Sequence, residues 1–344
     1  MKQKTGYISL LSVVCCFAVV LLHTNACFWS FSTESYWAWA NVIECVAYFA
    51  VPCFFMISGA TLLNFRDRYT LKEYLKKRFE KTVIPFFAWS FIGFLYCVLL
   101  LESVRWEDLS FSYVYNGILN TSFIRVYWFF ISLFCAYLSI PLFASVEKST
   151  RREIFSYLAI VGVFTNAIIP FLQKILFPSL VWPFSVAVVS ENLLYVIIGY
   201  LIHEYELTKK QRGIIYFLAI AGMLAHIVGT YILSMDAGEI VETYKGYNAL
   251  PCILYSVGIF TWFRYNGQRI MENTVIKKVV LFVSEYTFGI YLIHIYCMQI
   301  LARLINANVE SMVFSLCMPF AVIPVSIAII WIIKKIPVLR KIVP

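Results

Sequence analysis

Ten long apolar segments are the feature that most restricts what this chain can fold into. Segments of about 20 apolar residues cross membranes as α-helices, because the hydrocarbon core offers no partner to an unpaired backbone group. We predict spans at 6–26, 42–63, 83–101, 127–146, 153–173, 186–203, 214–233, 249–264, 279–300 and 312–333. The fold class predicted is an all-α integral membrane protein of about ten transmembrane helices, with residues 1–344 as a single membrane domain.

The composition agrees with this fold class. Hydrophobic residues make up 61% of the chain and charged residues only 14%, whereas soluble domains are about 25% charged. No internal repeat stands out, and no polar stretch is long enough for a separate soluble domain. The ten cysteines form no CxxC pair, so the spacing indicates neither a disulfide framework nor a metal site.

The distribution of lysine and arginine predicts the orientation. If the N-terminus is cytoplasmic, about 23 of the 28 basic residues fall in inside segments, as the positive-inside rule requires. The outside group is Arg105, Arg125, Lys174, Lys245 and Arg303. An even number of spans then places both termini in the cytoplasm. This bias accounts for most of the +9 net charge, so the charge does not indicate a nucleic-acid partner.

Four ionisable residues lie inside apolar spans, where a charge is costly and marks a functional site by default. With a rise of 1.5 Å per residue, His23, His294, Glu44 and Glu191 fall about 22–27 Å from the inner face. This shared depth predicts that they face one another or a water-filled cavity. Glu44 also fits an interfacial position close enough to the outside to reach water.

Five stretches resemble membrane acyltransferase family 3, the O-acyltransferases of bacterial surface polysaccharides. They include FFMISG at 54–59, KKRFEK at 76–81, YWFF at 127–130 and IYLIH at 290–294. The fifth, at 17–24, ends the first span and contains His23. Their order and coverage of the chain are similar to the subgroup that contains the O-acetyltransferase of enterobacterial common antigen.

The resemblance implies transfer of an acetyl group from cytosolic acetyl-CoA to a hydroxyl of a cell-surface or lipid-linked glycan. It maps an essential first-span histidine onto His23 and a ninth-span histidine onto His294. Two positions depart from the family pattern. Ser12 stands where the family usually has an arginine, and Val126 stands where it often has a histidine.

A positioned histidine can take the proton of a sugar hydroxyl as the oxygen attacks a thioester, because its unperturbed pKa is near neutrality. We therefore predict that His23 is the general base and that His294 orients it or contacts the acceptor. Glu44 or Glu191 is the expected carboxylate partner of the ring.

Basic residues before the third predicted span suit the phosphates of acetyl-CoA. Lys77, Arg78 and Lys81 lie at helical spacing, and we predict that they bind the donor. The positive-inside rule alone would also place these charges here. Ser58, beside Gly59, is expected either to line the donor's path or to allow close helix packing.

Aromatic residues on the predicted outer side suit a sugar. Trp106, in the longest outside connection, and Trp128 are the candidate acceptor-binding residues. Tryptophan is also enriched at membrane interfaces, so both readings stay open.

The predicted partners are acetyl-CoA, the glycan acceptor and membrane lipids, with no nucleic acid and no permanently bound cofactor. The predicted location is the bacterial plasma (inner) membrane. A transporter or flippase is the main alternative, since Pro52, Pro170 and Pro251 would suit broken helices. A third reading is a receptor or scaffold that keeps the family's shape without its chemistry.

Overall fold

A computed structural model of the chain describes residues 6–102, 104, 109–177, 179, 180, 182–184, 186–190 and 192–344. These residues form helices and irregular connections and include no strand. The all-α fold class is thereby confirmed. The α-helices are α1 Gly6–Thr24, α2 Ser35–Ala47, α3 Ala50–Leu62, α4 Leu71–Arg78, α5 Ile84–Leu99, α6 Phe111–Leu119, α7 Trp128–Phe143, α8 Lys148–Val163, α9 Ile169–Leu176, α10 Leu193–Glu204, α11 Lys209–Ala237, α12 Leu250–Ile270, α13 Thr274–Ser284, α14 Thr287–Leu304 and α15 Met312–Lys335.

The helices divide between two compact units. The first contains the chain up to Leu63 and Val146–Ala328, hence α1–α3, α8–α14 and most of α15. Its helix α1 packs against α3, α12 and α14. The second contains Asn64–Ser145 and Ile329–Pro344, hence α4–α7, the end of α15 and the C-terminal segment. There, buried Trp89 of α5 donates its indole N–H to the carbonyl of Ile342 (2.9 Å).

Eight helical runs within the described residues are long and apolar enough to cross a membrane. They match eight of the predicted segments, and the count of about ten is not confirmed. The two others are α10 and α12. Helix α10 has only 12 residues, and α12 carries Arg264 and Arg269 in its last turns. The cytoplasmic position of both termini stays a prediction.

The predicted span 42–63 is two helices, because the chain breaks between α2 and α3. Pro52 has no N–H to donate to the carbonyl four residues before it, at Tyr48, where α2 has just ended. The hydroxyl of Tyr255 forms hydrogen bonds with the backbone at this break. It accepts from the Phe49 N–H and lies 2.8 Å from the Cys45 carbonyl oxygen. Pro52 is buried and lies just after the break between the two helices.

Helices α3 and α10 approach closely at small residues. A Cβ on Gly59 would lie 1.9 Å from the Val196 carbonyl oxygen, and a Cβ on Gly199 would lie 2.2 Å from that of Met56. Ser58 is buried and donates its hydroxyl to the Phe54 carbonyl of its own helix (3.0 Å). The Ser-Gly pair therefore sits at a close helix contact, and the donor role of Ser58 stays a prediction.

Candidate active site

The structure brings the two candidate histidines together. His23 lies at the end of α1, His294 lies in the middle of α14, and these helices pack against each other. The ring centroids are 5.1 Å apart, with the ring planes inclined by 36°. Side chains 271 positions apart in the sequence thus form one imidazole pair.

The surroundings of His294 fix which of its nitrogens carries the proton. Nδ1 lies 2.7 Å from the Tyr291 carbonyl oxygen and 3.1 Å from that of Ile290. A carbonyl oxygen only accepts, so we assign the proton to Nδ1. In the neutral ring Nε2 then holds a lone pair. It is buried and has no hydrogen-bond partner among the described residues, so His294 offers a proton acceptor.

Glu44 is buried, with 3% of its surface exposed, while its depth in the membrane stays a prediction. Its Oε1 lies 3.4 Å from Lys245 Nζ, and its Oε2 accepts a hydrogen bond from Asn25 Nδ2 (3.2 Å). Within the described part of the chain, no hydrogen bond joins Glu44 to His23 or His294. Glu44 therefore meets the histidine helix through Asn25, and its predicted role as partner of the ring stays untested.

Polar contacts fix the end of α1 immediately after His23. The amide of Asn25, which is fully buried, also donates to the Ala40 carbonyl of α2 (2.9 Å). The hydroxyl of Thr24 lies 3.0 Å from the Ser315 carbonyl oxygen of α15. The backbone that carries His23 is thus tied to two neighbouring helices.

Lys245 is the residue of this region that the sequence interpretation missed. Its side chain is fully buried in the connection between α11 and α12. Nζ lies between Glu44 (3.4 Å) and Glu242 (3.1 Å). The ammonium also faces the rings of Phe28, Trp29 and Tyr48, at 5.3, 4.3 and 4.4 Å from their centroids. Paired carboxylates and aromatic faces are what a buried ammonium requires.

The three basic candidate donor-binding residues lie in the second unit. Lys77 and Arg78 end α4, and Lys81 is exposed in the π-helical turn Phe79–Val83 that follows. A π turn has i→i+5 hydrogen bonds, so Lys81 does not keep the α-helical position that its spacing predicts. Lys77 Nζ lies 3.4 Å from the ring centroid of Tyr69, and this hydrogen-bonding ammonium lowers the pKa of the phenol.

Arg78 lies over two rings of the same unit, with its guanidinium carbon 5.9 Å from the Tyr74 centroid and 5.3 Å from that of Tyr137. Its Nε is buried and has no acceptor among the described residues. A buried N–H without an acceptor costs free energy, so this position favours a hydrogen-bond acceptor from outside the chain.

A family model described as an acyltransferase domain matches residues 5–334, nearly the whole chain. The chain belongs to acyltransferase family 3. With its apolar helices, it is a multi-pass membrane acyltransferase. This confirms the family predicted from the sequence, while the match does not reach the narrower subgroup. No curated protein and no solved structure matches the chain.

The remaining family positions can be located in part. Ser12, which replaces the usual family arginine, is half-buried in α1. Trp128 is the first residue of α7, with about a third of its surface exposed and its ring 6.3 Å from that of Phe129. Glu191 and Trp106 lie outside the described residues.

Proposed function

We propose that this family 3 acyltransferase transfers an acetyl group from acetyl-CoA to a hydroxyl of a cell-surface or lipid-linked glycan. The observation that carries the proposal is the His23–His294 pair in the helix bundle of an acyltransferase domain. Ionisable residues inside membrane-spanning segments mark functional sites by default, and proton relays are among the roles of histidine there.

His23 is the general base of the proposed reaction. The hydroxyl oxygen attacks the thioester carbonyl carbon while a ring nitrogen of His23 takes the hydroxyl proton. The C–S bond then breaks, and the imidazolium returns the proton to the thiolate sulfur. The products are the acetyl ester and free CoA, and base catalysis of this kind contributes about 10²–10⁴-fold in rate.

His294 is the proposed orienting partner of His23. A carboxylate usually accepts a hydrogen bond from a catalytic imidazole and fixes its tautomer. The Nε2 lone pair of His294 offers a neutral acceptor for that purpose, with the ring itself held by the carbonyls of Tyr291 and Ile290. Glu44 and Glu191 remain the proposed acidic partners of the site.

The donor half of the proposal rests on the second unit. Arg78, Lys77 and Lys81 would bind the phosphates of acetyl-CoA, and the acceptor-free Nε of Arg78 supports this assignment. Ser58 is a further proposed donor contact.

For the acceptor we propose Trp128 and Trp106 as sugar contacts. The similarity of the quoted motifs to the enterobacterial common antigen subgroup supports a bacterial envelope glycan and a plasma (inner) membrane location. Family membership does not favour the transporter alternative.

The test compares surface glycans from a deletion strain complemented with the wild-type gene or with His23→Ala. We expect glycan mass spectrometry to show loss of one O-acetyl group in the deletion strain and in His23→Ala, at normal protein levels. His203→Gln is the control, because His203 bonds the Tyr7 hydroxyl instead of joining the pair. Full acetylation with His23→Ala would overturn the assignment of the base, and altered export with unchanged acetylation would favour transport.

A further inference from the structure

We infer that Trp29 and Glu242, held in place by Lys245, form a subsite for a neutral sugar unit of the acceptor. The inference rests on the proposed function and names residues that neither the motifs nor the family match assigns. Trp29 follows His23 by six positions, and Glu242 comes from the connection between α11 and α12.

Lys245 immobilises a tryptophan that would otherwise be an ordinary interfacial side chain. Its ammonium lies 4.3 Å from the Trp29 ring centroid, although 54% of Trp29 is exposed. The turn before Trp29 is fixed as well, because buried Trp37 donates its indole N–H to the Phe28 carbonyl (2.8 Å). The exposed ring of Trp29 is thus fixed in position by the buried side chain of Lys245.

Glu242 is fixed by the same ammonium. Lys245 Nζ lies 3.1 Å from Glu242 Oε1, and about half of this glutamate side chain is exposed. An ionised carboxylate has about four lone-pair sites and no proton to give. Glu242 therefore keeps acceptor positions open toward solvent, which suit the hydroxyl donors of a sugar.

The charges of the cluster select against an anionic ligand. One ammonium, Lys245, lies between two carboxylates, 3.1 Å from Glu242 and 3.4 Å from the buried Glu44, so the cluster has no unpaired positive charge to offer. Glu242 is the carboxylate on the exposed side. A uronic acid or a phosphate would be repelled there, whereas an uncharged sugar would meet a carboxylate and an aromatic face, a common combination in ligand sites.

The proposed subsite is connected to the catalytic helix by consecutive contacts. Lys245 contacts Glu44, Glu44 accepts from Asn25, and Asn25 is two residues after His23. Each of these three side chains is buried. The contacts that position Trp29 are therefore continuous with the hydrogen bonds that fix the end of α1.

The experiment measures acceptor kinetics with the full-length protein in lipid nanodiscs. Labelled acetyl-CoA is the donor, and the surface glycan of the host, stripped of O-acyl esters by mild alkali, is the acceptor. We expect Trp29→Ala and Glu242→Gln to raise the KM for this glycan about tenfold, while acceptor-independent hydrolysis of acetyl-CoA is unchanged. Trp29→Phe should restore most of the loss. Trp39→Ala is the matched control, because Trp39 in α2 is 65% exposed, while the rings that face the Lys245 ammonium within the described residues are those of Phe28, Trp29 and Tyr48.

Equilibrium binding keeps this test independent of turnover. Saturation-transfer NMR compares methyl glucoside with methyl glucuronide, which differ only in one carboxylate. We expect a saturation-transfer signal from the neutral glucoside with the wild type, and loss of that signal with Trp29→Ala. The inference is overturned if KM is unchanged in both variants, if Trp39→Ala has the same effect, or if the glucuronide binds better. If the wild type binds the glucoside but transfers no acetyl group, the proposed function fails and the subsite stands.

Discussion

Lys245 and Lys77 both place an ammonium against an aromatic ring, 4.3 Å from Trp29 and 3.4 Å from Tyr69, but in opposite settings. Lys245 is fully buried between two carboxylates, whereas Lys77 is partly exposed at the end of α4. A buried charge depends on every partner it has, while a solvated charge keeps water as an alternative. We therefore expect loss of the Lys245 ammonium to lower the stability of the protein, and loss of the Lys77 ammonium to lower its affinity for a ligand.

The largest effect is expected from Lys245→Met. Removing one partner of a buried ion pair leaves an uncompensated charge and costs about 3–5 kcal/mol. Within the part of the chain that the structure describes, the Glu44 carboxylate would then keep its hydrogen bond from Asn25. We expect a loss of that size in the unfolding free energy, measured by reversible denaturation with SDS in mixed micelles.

The control for Lys245→Met is Glu44→Gln. It should cost less, because Lys245 keeps Glu242 at 3.1 Å. The double variant should be more stable than Lys245→Met alone, since the uncompensated carboxylate is then gone. Equal losses in the two single variants, or a double variant at the sum of both, would contradict the buried-pair account.

Much of the fold could be predicted because membrane spans depend on local composition. Eight apolar runs emerged at the predicted places. Pro52 is a sequence signal for the interruption at Tyr48 and Phe49, but the hydroxyl of Tyr255 that contacts the interrupted backbone comes from about 200 residues away and could not be predicted. The π turn before α5 likewise has no composition signal that would distinguish it from an α-helical turn.

The site could be predicted in part for a similar reason. A shared depth in the membrane grouped His23 with His294, and the structure places their rings together. The same reasoning assigned Glu44 to the histidines but overlooked Lys245, which counted only as an outside charge. A signal was present, because a carboxylate at that depth needs a cation and the outside group has only five basic residues.

A smaller effect is expected from Arg78→Gln, which tests the proposed donor-binding side of the comparison. The substitution keeps a polar side chain but removes the charge that a phosphate would meet. We expect the KM for acetyl-CoA to rise about tenfold, equivalent to about 1.4 kcal/mol, with little change in thermal stability. Lys76→Gln is the control, since among the described residues Lys76 forms an exposed pair with Glu80 (3.9 Å). A loss of stability matching that of Lys245→Met would show that Arg78 is structural.

The smallest effect is expected from Lys77→Met. The Lys77 ammonium already contacts the Tyr69 ring, so its interaction with a bound phosphate would be weaker than that of a free ammonium. We expect the KM for acetyl-CoA to rise about two- to threefold at low ionic strength, and the difference to vanish in high salt because exposed charges are screened. The measurement is a salt series of initial rates for wild type and Lys77→Met. A salt-independent defect would mean that Lys77 acts in a desolvated contact, and the contrast with Lys245 would then be one of degree.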